Sequence, residues 1–223
     1  MQKKFSKLKC FIWLLYVTIV ANFSLFSACT SEDEGFVLED RYYTSAQSRM
    51  TRSETEPTPN TFPSREQILA NQTVLAHMQE LWNLTKNDAN ESEKRERGCY
   101  ILYYGGQDYR FVDKEGDWYP STSSSHLYWS VESELTNDEK TRLCAFFHTH
   151  TTMQYCSATS RRRVGPSGGD TSISMASYLP GFVYDYCGDN DTINSPYGFV
   201  WGNTSTNADA KIYEFGQNTR LPH

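Results

Sequence analysis

From residue 64 onward the chain reads as an α/β domain of the α+β kind, a mixed β-sheet flanked by helices. Three observations carry that expectation. Ile68, Leu75, Met78 and Trp82 recur at helical spacing behind a Ser64–Gln67 capping pair, the pattern of an amphipathic helix with a fixed start. Two apolar, aromatic-rich runs flank Gly105-Gly106-Gln107-Asp108, which reads as a hairpin. The unbroken apolar run from Leu143 to Phe147 reads as a buried strand.

Taken in order, residues 1–28 are an export signal rather than fold. Lys3, Lys4, Lys7 and Lys9 precede an apolar stretch from Phe11 to Phe26. Ser27-Ala28-Cys29 resembles a bacterial lipobox, with Leu25 one place further from the cysteine than usual and Phe26 in its stead. Cys29 would then be lipidated and become the mature N-terminus; a secreted protein or an uncleaved anchor helix are the alternatives. Residues 29–63 are polar, rich in Ser, Thr, Glu and Pro, and without apolar period, so they read as a flexible linker. Its acidic opening, Thr30-Ser31-Glu32-Asp33-Glu34, looks like the tether of surface lipoproteins of some Gram-negative bacteria, which implies a lipid-anchored protein of the cell envelope.

The domain, 64–223, is expected to open with a helix from about Ser64, whose apolar stripe is core. Strands near 99–104 and 108–112 follow, then a loop from Gly116 to Ser125 and a strand near 143–149. A second helix should start at Ser167–Asp170 and run toward Tyr178, with Pro180-Gly181 ending it. Phe182–Tyr186, Tyr197–Trp201 and Ile212–Phe215 are three further strands.

Composition excludes several functions. The formal charge of -6 becomes -10 for residues 29–223, because the signal removes four lysines and no acid. Such a chain is a poor nucleic-acid binder, and neither a basic aromatic stripe nor a phosphate-cradling glycine loop is present. Arg161-Arg162-Arg163 reads as a solvated loop triplet, or as a device for an acidic substrate or carboxylate terminus. Cys99, Cys144, Cys156 and Cys187 allow three pairings, among them Cys99–Cys144 and Cys156–Cys187. No Cys-x-x-Cys spacing supports a structural zinc site, and Cys144, inside an apolar run, reads as buried and inert. Trp118-Tyr119 and Leu127-Tyr128-Trp129 suit a glycan or peptide platform as well as ordinary packing, and the neighbouring lone His126 reads as structural.

The chemistry-bearing residues lie in His148-Thr149-His150 and Ser167-Gly168-Gly169-Asp170. Alternate strand residues share a face, so both imidazoles can meet one metal, and Asp170 can supply a third ligand. Three protein ligands leave a fourth position open, as in a catalytic zinc site. Each fragment alone is also ordinary: His-x-His arises by chance, and Pro-Ser-Gly-Gly-Asp is common turn chemistry. In order and after a strand, they resemble the JAB/MPN (JAMM) metalloproteases, whose signature is a distant Glu, then His-x-His, then Ser-x-x-Asp. Glu96 fits the first position. It stands in Glu96-Arg97-Gly98-Cys99-Tyr100-Ile101, similar to the strand entry of JAB-like domains in toxin-associated and uncharacterised bacterial proteins. Its alternative is membership of the solvated charge run from Glu91 to Arg97; Glu132 and Glu134 are competitors closer to the histidine strand.

The resemblance spans roughly Ser64 to Phe215 and implies a JAB/MPN-like, cytidine-deaminase-like layered fold. It implies Zn2+ held by His148, His150 and Asp170, with Glu96 moving the proton of the attacking water and Ser167 donating to the oxyanion of a peptide or isopeptide carbonyl. The expected partners are a peptide or protein substrate and a membrane met through the lipid anchor. Two departures stand out. Thr151 occupies the place where the family usually has proline, and the segment 151–166 is about twice the usual loop, so it should shape a groove or block it. Other readings of the same residues are a non-catalytic lipoprotein that uses the fold as a binding module, and hydrolysis of a non-peptide substrate.

Overall fold

A computed structural model describes residues 62–221. Residues 1–61, with the export signal, Cys29 and nearly all of the linker, lie outside the described part, as do residues 222–223.

The chain enters through α1 (Arg65–Ala70) and α2 (Gln72–Asp88). Ser64 caps α1 in the expected box with Gln67. The single helix anticipated here is two, because Asn71 takes extended backbone and turns its side chain onto the amides of Thr73 and Val74, capping α2. An Asn in that role competes with helix continuation. The other end of its amide donates to Gln107 Oε1 at 2.7 Å, tying the break to the hairpin turn. The break also shifts the apolar stripe: Val74, Met78, Leu81 and Trp82 are buried, whereas Leu75 is only half-buried.

The strands are β1 (Glu93–Lys94), β2 (Arg97–Tyr103), β3 (Tyr109–Glu115) and β4 (Tyr119–Pro120), followed by α3 (Val131–Glu134), α4 (Asn137–Arg142) and β5 (Leu143–Thr149). Then come β6 (Arg161–Arg163), α5 (Gly168–Ser177), β7 (Pro180–Tyr186), β8 (Phe199–Trp201) and β9 (Ala210–Gly216). The main sheet is mixed, in the order β3-β2-β5-β7-β9, and only β5 and β7 run parallel. The parallel pair is joined by a crossover that contains α5, as parallel strands require.

Side-chain alternation divides the sheet into two faces. Cys99, Ile101, Ala145, Phe147 and Phe182 pack with Ile68, Val74, Met78 and Leu81 beneath the first two helices. Tyr100, Leu102, Phe146, Val183 and Phe215 form the core of the opposite face, where Ile173 of α5 packs. Trp82 stacks on Tyr184 at 4.8 Å between ring centroids, a contact worth roughly 0.5–1.5 kcal/mol beyond its burial. Among the described residues, no helix is long and apolar enough to cross a membrane.

Several local expectations differ from what forms. The 116–125 loop contains β4, which pairs with β1. Pro180 and Gly181 begin β7 instead of ending a helix; α5 stops at Tyr178, whose left-handed backbone (φ 53°) closes it. Arg161–Arg163, read as a loop triplet, is a strand paired outside the main sheet with Phe199–Trp201, which forms within the strand expected at Tyr197–Trp201. Cys99 and Cys144 are buried free thiols and Cys187 is an exposed one, which removes the Cys99–Cys144 and Cys156–Cys187 pairings. His126 is exposed beside Tyr119, and no structural hydrogen bond holds its ring among the described residues.

Candidate metal centre

The face that carries Phe146 continues to His148 and His150, whose rings lie 5.1 Å apart between centroids. Asp170 meets them from α5. Ser167 caps that helix through its Oγ, which accepts from the Asp170 amide at 3.2 Å, while Asp170 Oδ2 accepts from the Ser167 amide at 2.7 Å. The capping box therefore aims the Asp170 carboxylate back over the helix start, toward the strand end where the histidines stand. Its Oδ1 lies 3.3 Å from His148 Nε2 and its Oδ2 3.7 Å from His150 Nε2.

Those separations test whether a metal fits. Ligands about 2.0–2.1 Å from a tetrahedral zinc stand about 3.3 Å from one another. The His148–Asp170 pair meets that value and the His150–Asp170 pair is slightly wider, and all three ligand atoms lie within 4.8 Å of one another, so the group could hold one ion. A second group, His77, Cys99 and Asp113, also lies within mutual reach. There the His77 Nε2 and Asp113 Oδ1 are closed to 2.7 Å, a direct hydrogen bond with no room for an ion between them. His77 also stacks on Phe111 at 4.1 Å, which accounts for its position by packing. The first group is the better metal site.

Support around the two histidines is unequal. His150 Nδ1 is 2.9 Å from Asp185 Oδ2, and Arg162 Nη1 lies 3.1 Å from the same nitrogen. One ring nitrogen cannot both accept from Arg162 and donate to Asp185. Arg162 already grips Asp185 with two bonds of 2.8 Å, so the consistent assignment gives His150 Nδ1 a proton donated to Asp185 and leaves Nε2 facing Asp170, protonated in the absence of an ion and able to present its lone pair to one. His148 Nδ1 is buried without a hydrogen-bond partner, and that ring is held by Trp129 and Phe215 instead. Burial opposes a charged His150, but Asp185 and Asp170 outweigh it and push its pKa up to about 10 in the absence of an ion. Asp170 answers in the other direction: burial would raise it, yet the two histidines hold it well below the usual carboxylate range.

Glu96 stands just before β2. Gly98 pairs with His148 in the antiparallel register, so Glu96 lies at the end of the strand beside the metal-bearing one. A Cβ at Gly98 would come within 2.5 Å of the Phe147 carbonyl and 2.6 Å of Leu127, which is why this position needs glycine. Glu96 is buried, and burial lifts its pKa above the ordinary glutamate value; His150 and His148 pull it down, and Asp170 raises it again. Ser125 donates to its Oε1 at 3.0 Å and is itself 2.7 Å from the Thr151 hydroxyl. Thr151, where proline was expected, thus belongs to the support of Glu96. Glu132 and Glu134 lie elsewhere, paired with Lys140 and Lys114, and are not competitors.

The long segment after His150 packs into the fold, and its Arg162 reaches the His150 ring. Met153, Cys156 and Val164 are core residues, and Thr151, Met153 and Arg162 line a small cleft. Lys94, Glu96 and Ser123–Ser125 line the same cleft, whose volume is about 40 Å³. Arg162 faces inward to Asp185 rather than outward as a solvated residue, while Arg161 lies over the Phe199 ring and pairs with Asp191.

Glu96, His148, His150, Ser167 and Asp170 are therefore gathered at one end of the sheet, with Ser167 exposed and the other four largely buried. Sequence reading missed Asp185, Arg162 as its partner, and Lys94. A lone acid in the apolar run Phe182–Tyr186 was the available signal for Asp185; Lys94 is hidden in a charge run that resembles solvated surface. Comparisons of the chain with protein-family models, with curated proteins and with solved structures found no match.

Proposed function

We propose that this chain is a zinc-dependent hydrolase of peptide or isopeptide bonds with a JAB/MPN-type site, exported and held in the bacterial cell envelope by a lipid on Cys29. The observation that carries the reading is the spacing of His148 Nε2, His150 Nε2 and the Asp170 carboxylate, with Glu96 buried beside them. Zinc bound there would lower the pKa of a water molecule toward about 7 and polarise the substrate carbonyl. Glu96 takes a proton from the attacking water and returns it to the leaving amine; its raised pKa suits a group that must hold that proton between the two steps. Ser167 Oγ accepts from the Asp170 amide, which leaves its own proton free for the carbonyl oxygen as charge develops. Asp185 orients His150 and fixes its tautomer.

The test is zinc content of the purified full chain by mass spectrometry, beside a His148→Ala/His150→Ala variant. One zinc per chain, absent in the variant, is expected. Glu96→Gln should retain the zinc and lose hydrolysis of a peptide mixture by at least about 100-fold. No zinc in the native chain after reconstitution would sink the reading. Radiolabelled palmitate incorporated by the native chain and not by Cys29→Ala tests the anchor; equal labelling would remove it.

A further inference from the structure

Lys94 is a lysine out of place. It lies on β1 with its side chain only 2 % exposed, and its Nζ makes one hydrogen bond, to the Thr152 carbonyl at 3.1 Å. An ammonium carries three donors, so two remain without a protein acceptor. No carboxylate of the described residues lies within ion-pair reach of it. The charges that act on it most are Arg162, of the same sign, and Glu96. Arg162 cannot serve in its stead, since both its terminal nitrogens are committed to Asp185 and to the Arg163 and Thr151 carbonyls.

Buried ammonium groups are normally paired, because removing a charge from water without a partner is costly. The missing partner has a place to sit. Lys94 lines the cleft with Glu96, Ser123, Ser125, Thr151 and Arg162, and its 40 Å³ would hold about three waters or the three heavy atoms of a carboxylate. The remaining wall is lined by Ser123, Ser124, Ser125 and Thr151 together with Met153.

The geometry points to a carboxylate-binding subsite at Lys94, directly beside Glu96. It rests on the proposed hydrolase only for what the carboxylate is attached to: the substrate then carries that group next to the amide to be cut. Two sources share this chemistry, the C-terminal carboxylate of a peptide and an acidic side chain.

The test is calorimetric titration of three small probes into the full chain, with and without zinc: N-acetylglycine, its uncharged amide, and N-acetylaspartate amidated at its α-carboxyl. Native chain should prefer a carboxylate probe over N-acetylglycinamide at least tenfold, and Lys94→Met and Lys94→Gln should each abolish the preference while keeping native zinc content. Preference for N-acetylglycine assigns the C-terminal source; preference for the aspartate probe assigns the side-chain source. Equal binding of all three overturns the subsite. A preference that survives in both variants gives the carboxylate to the metal or to Arg162, and also overturns it. A chain that takes up no zinc would defeat the hydrolase reading, yet titration into that same chain still decides the role of Lys94. Should the variants fail to fold, reductive methylation of the native chain replaces them. N-acetylglycine or the aspartate probe should slow methylation of Lys94 at least tenfold, and no protection by either refutes the inference.

Discussion

Asp185→Asn should damage both the fold and the metal centre, and the reason can be counted. The carboxylate is fully buried and accepts five hydrogen bonds: from His150 Nδ1 (2.9 Å), from Arg162 Nη1 and Nη2 (2.8 Å each), and from the amides of Gly165 (2.9 Å) and Tyr186 (2.7 Å). Asn can keep one oxygen, best placed on His150 and Gly165. Its NH2 must then face Arg162 Nη2 and the Tyr186 amide, two donors that lose their acceptor, and the guanidinium loses its counter-charge. Breaking a buried pair in this way costs about 3–5 kcal/mol. For a folded part of this size that corresponds to a fall of roughly 10 °C in Tm. Losing the carboxylate behind a metal-bound imidazole should weaken zinc binding a further 10–100-fold. Urea denaturation and zinc competition against a chelator, both on the full chain, measure the two effects. Asp185→Asn/Arg162→Met removes the orphaned charge and should recover most of the stability without restoring zinc affinity. A single-variant loss under about 1 kcal/mol, or losses that simply add in the double variant, would refute the coupling.

Lys94→Met should stabilise the fold at neutral pH. Burial first, and the Arg162 charge second, lower the Lys94 pKa to about 8, so between that value and the unfolded value of about 10.4 the unfolded chain binds more protons. The penalty, about 3 kcal/mol, is full below pH 8 and vanishes as pH rises past the unfolded value; denaturation of both chains at pH 7 and pH 10.5 should show the gain only at the former. Gly98→Ala should cost several kcal/mol and reduce zinc uptake, since the new Cβ would strike the Phe147 carbonyl and sits 3.1 Å from the His148 Cβ; an unchanged Tm would show that the strand end yields freely. Ser167→Ala should cost only about 1 kcal/mol as a lost N-cap but lower hydrolysis by 10²–10³-fold, and a proportionate small loss of rate would leave Ser167 a cap alone. In acid, Asp170 and Asp185 have pKa values depressed below the ordinary carboxylate, so their contribution is present above about pH 4 and fades as pH falls below it. Asp185→Asn should therefore flatten the acid limb of a stability–pH curve.

Elements written in short-range chemistry are legible in the sequence itself. The Gly105-Gly106 turn carries positive φ at both glycines, so the hairpin needs nothing beyond its own residues. α5 is announced by Ser167 and Asp170, which serve at once as its capping box and as site residues, so one pattern located both. The run Leu143–Phe147 marked β5 within a residue or two of its bounds. What escaped depends on distant partners. Asn71 breaks the first helix with help from Gln107, and Arg161–Arg163 becomes a strand because Phe199–Trp201 is there to pair with it. A triplet of arginines contains no sign of which one turns inward. Asp185 and Lys94 show the same limit: their charges make sense only beside Arg162, His150 and the cleft wall, all supplied by other segments.

The crossover from β5 through α5 to β7 holds His148, His150, Asp170 and Asp185 within one contiguous stretch of chain, whereas Glu96 and Lys94 arrive on the segment before the hairpin. Under the proposed function, the groups that would hold an ion are thus close in sequence, while the proposed base, Glu96, arrives from a separate segment. Substitutions in that segment would then remove Glu96 or reshape the cleft around Lys94 while leaving His148, His150 and Asp170 in place.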